Sequence, residues 1–226
     1  MNGRGVNLQV KLISYSQPAE PTEGLENVQD LIAYAARVSN PANQLNSDTA
    51  ERLLNYLIKH KHWSPFEMAS ACLEIETTRD IARQMLRHRS FSFQEFSQRY
   101  ANPEQEFDNM FVKREARLQD EKNRQNSIEV DDKELQLEWF RIQSRVAWMA
   151  EKQYKKAIKL GIAKEQARAL LPEGLTVSRL YMNGTLRSWI HYIELRASNG
   201  TQKEHIEIAK ACAEAISKIF PYNVNV

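Results

Sequence analysis

From Asp131 onward, apolar side chains recur at helical spacing through Leu135, Trp139, Ile142, Val146, Met149 and Ala150 to Leu160, and the run stops at Gly161. This is the longest helix the sequence predicts, and the rest of the fold has to accommodate it. Its aromatic and methionine stripe suits a core face or a surface shared between subunits better than a cofactor box. A chain of 226 residues with 42% hydrophobic content, seven Gly and seven Pro can bury a sizeable core and leans toward helix.

Other segments repeat the helical pattern. Leu31, Tyr34, Ala35 and Val38 mark a helix closed near Ser39-Asn40-Pro41, and Leu53, Leu54, Leu57 and Ile58 form the face of a second, capped by Ser47 or Asp48. A third starts after Thr78 and runs through Ile81, Met85 and Leu86 into Arg87-His88-Arg89, with Gln84 and Arg87 on one face, and a loop is expected to follow it. Residues 163–171 read as a short helix bearing Arg168 and ended by Pro172, whereas Met182-Asn183-Gly184-Thr185 reads as a turn and cap. The next helix sets Arg187, His191 and Glu194 on one side and closes at Arg196. The last, over about 202–220, buries Ala209, Ala213, Ile216 and Phe220. Strand character appears over residues 6–14 and 69–77, and 103–133 forms a charged excursion best read as a solvated surface segment. The expected class is α+β, helix-rich with a small, mostly antiparallel sheet, within one domain over residues 1–226.

Lys and Arg total 31 against 29 Asp and Glu, a net charge of +2, so a general polyanion binder is not indicated and any basic site must be local. No apolar run approaches the roughly 18 residues that span a bilayer, and no basic-then-apolar leader is evident, which makes the cytoplasm the expected compartment. Cys72 and Cys212 lie in apolar settings without paired spacing, as buried small hydrophobes do. His60 and His62 stand two apart beside Ser64 and Glu67 in a loop broken by Pro65; a lone His-x-His there is a weak metal signal, and no metal site is assigned.

One stretch is chemically dense. Between Arg87 and Tyr100 the chain collects Arg87, His88, Arg89, Ser90, Ser92, Glu95, Ser97 and Arg99. Arginine forks match phosphates or carboxylates, serine hydroxyls add short-range donors, and a carboxylate can accept from a base or ribose. Cations at a helix C-terminus complement its dipole, which accounts for one or two of these residues but not for the whole set. Arg168, Arg187 and Arg196 add to a surplus of arginine over any general base, so the pattern suits a site holding at least two anionic groups, with a cofactor carrying the chemistry. A competing reading is a non-catalytic nucleotide or single-stranded RNA binder, in which Arg87, Arg89 and Arg99 take phosphates and Phe91, Phe93 and Phe96 stack on bases. The near-neutral charge weighs against it.

The run Arg87-His88-Arg89-x-x-Ser92-x-x-Glu95-x-Ser97-x-Arg99-Tyr100 resembles the signature of the flavin-dependent thymidylate synthases. Companion blocks stand in that family's order: Ala36-Arg37-Val38-Ser39, His62-x-Ser64-Pro65-Phe66-Glu67, Ala167-Arg168-x-x-Leu171-Pro172, and Leu186-Arg187 with Leu195-Arg196. The resemblance implies reductive methylation of dUMP to dTMP, with methylenetetrahydrofolate as carbon donor, FAD as hydride carrier and NADPH as reductant, in a homotetramer whose sites are shared between subunits. It implies that Gln84, Arg87, Glu95, Ser97, Arg99 and Arg168 hold dUMP. It gives FAD to Ser39, Ser64, Glu67, Arg87, His88, Arg89, Glu95, Arg187 and His191. Arg196 would also meet the substrate and assist ionisation of the uracil ring, and His62 would sit near its reactive end. Neither nucleic acid nor membrane is an implied partner. Gln94, Met68, His191 and Gly200 depart from residues common in the family.

Overall fold

A computed structural model describes residues 9–221; the first three positions of the strand expected over 6–14 lie outside that range. The elements are β1 (Gln9–Tyr15), α1 (Val28–Ala36), α2 (Ala50–Lys59), β2 (Ser70–Thr78), α3 (Arg79–Met85), β3 (Phe91–Glu95), α4 (Pro103–Glu106), β4 (Arg117–Gln119), β5 (Ser127–Glu129), α5 (Lys133–Lys159), α6 (Lys164–Ala167), β6 (Val177–Thr185), α7 (Leu186–Arg196) and α8 (Lys203–Ser217), with 3-10 turns at Pro41–Asn43, Ser64–Glu67 and Arg168–Leu170. The α+β expectation holds. Among the described residues four strands form one sheet in the order β1-β2-β6-β3, every pair antiparallel, and β4 and β5 form a separate hairpin.

Alternation builds the sheet. Ala71, Leu73 and Ile75 of β2 and Leu180, Met182 and Gly184 of β6 face the core, while Glu74, Glu76, Arg179 and Tyr181 face outward, where Tyr181 donates to Glu74 at 2.7 Å and Arg179 pairs with Glu76. Onto the inner face pack α1, α2, α7 and α8, contributing Ile32, Leu54, Trp189, Ile193, Ile208 and Ile216 to one contiguous core. Trp189 fastens α7 to the sheet twice over: its indole is fully buried, and its N–H donates to the Ala71 carbonyl at 2.9 Å. Helix starts follow capping rules. Asn27 accepts from the Gln29 and Asp30 amides, Asp132 from those of Glu134 and Leu135, and Thr185 from that of Ser188.

Two expectations need correction, and a third is narrowed. The stretch after Arg89 is not a loop: Phe91 to Glu95 is an edge strand paired with β6, and the proposed turn at Met182-Asn183-Gly184-Thr185 is the end of β6 itself. Gly184 is required there because a Cβ would lie 2.4 Å from the Phe91 ring, which crosses the strand at that point. The Leu135-to-Met149 stripe of α5, read as a core face or a surface shared between subunits, is not core within this chain. Trp139, Ile142, Val146 and Met149 are 37–47% exposed, and the buried edge is Gln143, Ala147, Ala150 and Tyr154. The 103–133 excursion is not merely a solvated surface. Gln143 and Gln136 clasp the backbone of Arg114 and Ala116 through paired amide hydrogen bonds of 2.8–2.9 Å. Arg114 reaches Asp80 at 2.7 Å and Arg117 reaches Glu204 at 2.5 Å.

Candidate functional site

The polar residues singled out in the sequence fall into three groups, of which the first lies where the C-terminal end of α3, α7 and the first turn of α8 meet. α3 stops at Met85, so Gln84 lies in its last turn while Arg87, His88 and Arg89 belong to the short link to β3. Arg196, at the last turn of α7, donates from Nε to His88 Nε2 at 2.9 Å. An arginine can only donate, so His88 carries its proton on Nδ1. Burial, and secondarily the adjacent Arg196, pull the His88 pKa down to about 4, which keeps the ring neutral at physiological pH. Its ring stands edge-on to Tyr192, with centroids 5.0 Å apart.

Behind this pair lies a residue the sequence reading missed. His205 of α8 is fully buried; its Nε2 lies 3.1 Å from Tyr192 Oη and its Nδ1 lies 3.3 Å from Gln84 Oε1. Burial first, then Arg196 and His88, lower its pKa to about 3. A signal was present: His205 occupies the apolar face of α8 with Ile208, Ala209 and Cys212, where an unpaired imidazole would be costly.

A second group surrounds the 3-10 turn at Ser64–Glu67. Lys61, in the left-handed region at φ 58°, ends α2, and the His62 N–H returns to the Leu57 carbonyl at 2.8 Å. Arg187 pairs with Glu67, and His191 packs edge-on against Trp63 at 4.7 Å. His62 and Ser64 line a groove of about 640 Å³ with Arg37, Asn40, Arg52 and Tyr56, and no carboxylate lines it. Ser39 is exposed beside Asn40. Arg37 is buried without an acidic partner, its guanidinium held by the Asn46 carbonyl and by Thr49 Oγ1 at 2.8 Å. The groove is therefore electropositive.

The third group contains Glu95, which turns inward to Arg79 at 3.4 Å, Arg83 at 3.5 Å and Ser178 Oγ at 3.0 Å. Arg99 lies 3.6 Å from Glu165, a half-exposed pair, and Arg168 donates to the Glu165 carbonyl at 3.3 Å. Ser97 lies between Glu95 and Arg99 and is partly buried. No hydrogen bond or ion pair among the described residues links Arg99 or Arg168 to Arg196, and none engages the Arg87 or Arg89 side chains. Among the described residues, then, Arg87, Arg89, Arg168 and Arg196 form no ion pair with a carboxylate. Cysteine chemistry has no foothold, since burial pushes both the Cys72 and the Cys212 thiol up. The aromatic residues of the competing single-strand reading are also engaged elsewhere: Phe91 packs on Trp189 at 4.8 Å and Phe96 on Phe107 at 4.9 Å.

Comparison with known proteins places this geometry. The family described as thymidylate synthase complementing protein matches residues 22–222. A probable flavin-dependent thymidylate synthase of Paramecium bursaria Chlorella virus 1 is 52% identical over 214 residues, which cover 95% of this chain and 96% of the relative. The flavin-dependent thymidylate synthase of Synechocystis sp. is 48% identical, covering 95% and 96%. Among solved structures, a UMP/dUMP methylase, PolB, from Streptomyces cacaoi bound with 5-Br dUMP superposes with a TM-score of 0.77 at 25% identity, over 94% of this chain and 91% of that one. By family match and by relatives aligned over nearly its whole length, this chain belongs to the flavin-dependent thymidylate synthases.

Proposed function

We infer that the chain catalyses the reductive methylation of dUMP to dTMP, with methylenetetrahydrofolate as carbon donor, FAD as hydride carrier and NADPH as the reductant. The observation that carries this reading is the Arg196–His88 hydrogen bond at 2.9 Å. A neutral imidazole orients the guanidinium without cancelling its charge, as a carboxylate partner would. The remaining Nη donors then stabilise negative charge developing on a uracil ring, which strengthens the pyrimidine as a nucleophile.

The residues present fit a flavin dinucleotide: among the described residues Arg87 and Arg89 have no acidic partner, and the acid-free groove beside Ser64 suits a phosphate-bearing ligand. When bound, FAD supplies hydride transfer. Ser39, Ser64, Glu67, Arg87, His88, Arg89, Glu95, Arg187 and His191 are assigned to holding it, and Gln84, Arg87, Glu95, Ser97, Arg99 and Arg168 to dUMP, with His62 near the reacting end. The internal ion pairs of Glu95 suit it to setting Arg79 and Arg83 as well as to meeting a ligand.

Because Arg99 and Arg168 lie apart from Arg196 in hydrogen-bonding terms, and because α5 leaves a row of apolar side chains exposed, we assign the working form to a homotetramer with sites shared between chains. The whole of residues 1–226 would serve as one catalytic unit. All the substrates are small and water-soluble, so no nucleic acid or membrane partner is called for, and the cytoplasm is the compartment that supplies them. Among the described residues no helix is long and apolar enough to cross a membrane.

Purified protein should be yellow or turn yellow with FAD, and should form dTMP from dUMP when given the folate donor and NADPH. A colourless protein that gains no flavin absorbance and makes no dTMP would overturn this function.

A further inference from the structure

A line of hydrogen bonds runs from α7 through α8 to the end of α3 and back, and each donor in it can be assigned. Glu204, an acceptor only, takes the Arg117 guanidinium at 2.5 Å on Oε1 and the Gln202 amide at 2.9 Å on Oε2. This sets the Gln202 amide with its oxygen toward Gln84, whose Nε2 donates to it at 2.9 Å. The Gln84 oxygen is then directed at His205 Nδ1, 3.3 Å away, so Nδ1 must carry the proton and Nε2 must accept from the Tyr192 hydroxyl at 3.1 Å. Every donation runs one way, from a buried tyrosine to a carboxylate held by an arginine.

We infer that His205 is a positioning residue: by holding the Gln84 carbonyl it fixes which side of that amide meets the nucleotide. The inference rests on the assignment of Gln84 to dUMP. Gln84 is half-buried and keeps one N–H free after donating to Gln202, so in this orientation it offers a donor to a nucleotide oxygen. Were the amide reversed, its oxygen would face the Gln202 oxygen, and its NH2 would face the His205 N–H until the imidazole took its other tautomer and turned the Tyr192 hydroxyl, so the arrangement favours one amide orientation at both contacts. A histidine is needed because its two nitrogens serve different helices at once. An apolar residue of similar size would fill the space but leave Tyr192 without this partner and Gln84 held only by Gln202.

The test uses full-length, flavin-loaded protein and two substitutions that each keep half of the imidazole. In His205→Asn the amide overlies Nδ1 and can still donate to Gln84; in His205→Gln it overlies Nε2 and serves Tyr192 only. His205→Gln is expected to raise the KM for dUMP about tenfold with kcat within about twofold, whereas His205→Asn stays within about twofold of the parent KM. Flavin content should be equal in all three. Calorimetric titration with dUMP should give the same order of affinities without turnover. If dUMP binds the two variants equally, the positioning role is overturned while the nucleotide assignment stands; if the unsubstituted protein binds no dUMP, the assignment of Gln84 fails and the role with it. Nitrogen-15 spectra of the histidines provide a reading independent of activity: His205 must carry its proton on Nδ1, and the opposite tautomer would overturn the proposal.

Discussion

Arg196 has five N–H donors and commits Nε to a neutral acceptor, His88, so its whole positive charge remains available to a ligand. Replacing it by alanine should leave flavin absorbance intact and lower kcat for dTMP formation by about 10²-fold or more, because the lost interaction acts on developing charge. Near-normal turnover in Arg196→Ala would remove its assigned role. The two histidines also set an acid limit. Burial is the first cause in both, lowering His88 to about 4 and His205 to about 3. An unfolded histidine titrates near ~6.5, so below that pH the unfolded chain binds protons that the folded chain refuses, and stability falls as pH drops from about 6.5 toward 4. Melting temperatures across that range should decline, and His205→Asn should flatten part of the decline. The arginine, serine and histidine crowded between 87 and 100 drew attention from sequence alone, whereas Ser39, Ser64, Arg168 and Arg187 were assigned to ligands only through the family resemblance. His205 was not read, because a single histidine among alanines and isoleucines resembles core until its partners, Gln84 and Tyr192, are known to face it.

At the level of elements, β3 and β6 depend on each other. Phe91 lies across Gly184, and its ring reaches Trp189 and Tyr192 of α7, so the strand that precedes the ligand residues is anchored by aromatic packing. Gly184→Ala should cost roughly 1–3 kcal/mol, seen as a lower denaturant midpoint, since the added methyl must displace the Phe91 ring. It should also weaken dUMP binding through the displaced strand, a change that ligand titration would detect. Neither strand was evident from sequence. Asn183-Gly184 is a strong turn signal, and the five residues of β3 gain strand character only from pairing with a segment some ninety positions away, which local patterning does not report. The helices fared better: caps at Asn27, Asp132 and Thr185 and the Gly161 stop follow from local chemistry, although Arg79 begins its helix after a Thr78 whose hydroxyl serves Asp80 at 2.6 Å instead of capping.

Across the whole molecule, the exposed row on α5 is the feature that a lone chain leaves unexplained. Trp139, Ile142, Val146 and Met149 keep an apolar surface along a 27-residue helix about 40 Å long, of the kind that marks contact between subunits. If the proposed homotetramer shares its sites between chains, Ile142→Glu with Val146→Glu should yield a smaller sedimenting species and abolish dTMP formation. A double variant of unchanged size and activity would reject this face as the interface. The stripe itself was legible, but its destination was not, since periodicity is the same whether an apolar face meets its own core or another chain. The strand order β1-β2-β6-β3 carries a further consequence. Among the described residues the only neighbour of β3 is β6, so the edge that leads into the residues assigned to the nucleotide cannot form while a growing chain ends before residue 185. More than half of this protein must wait on the ribosome with the proposed nucleotide site unmade. High sequence separation between paired strands also makes closure of the sheet, rather than formation of the helices, the slow event in refolding.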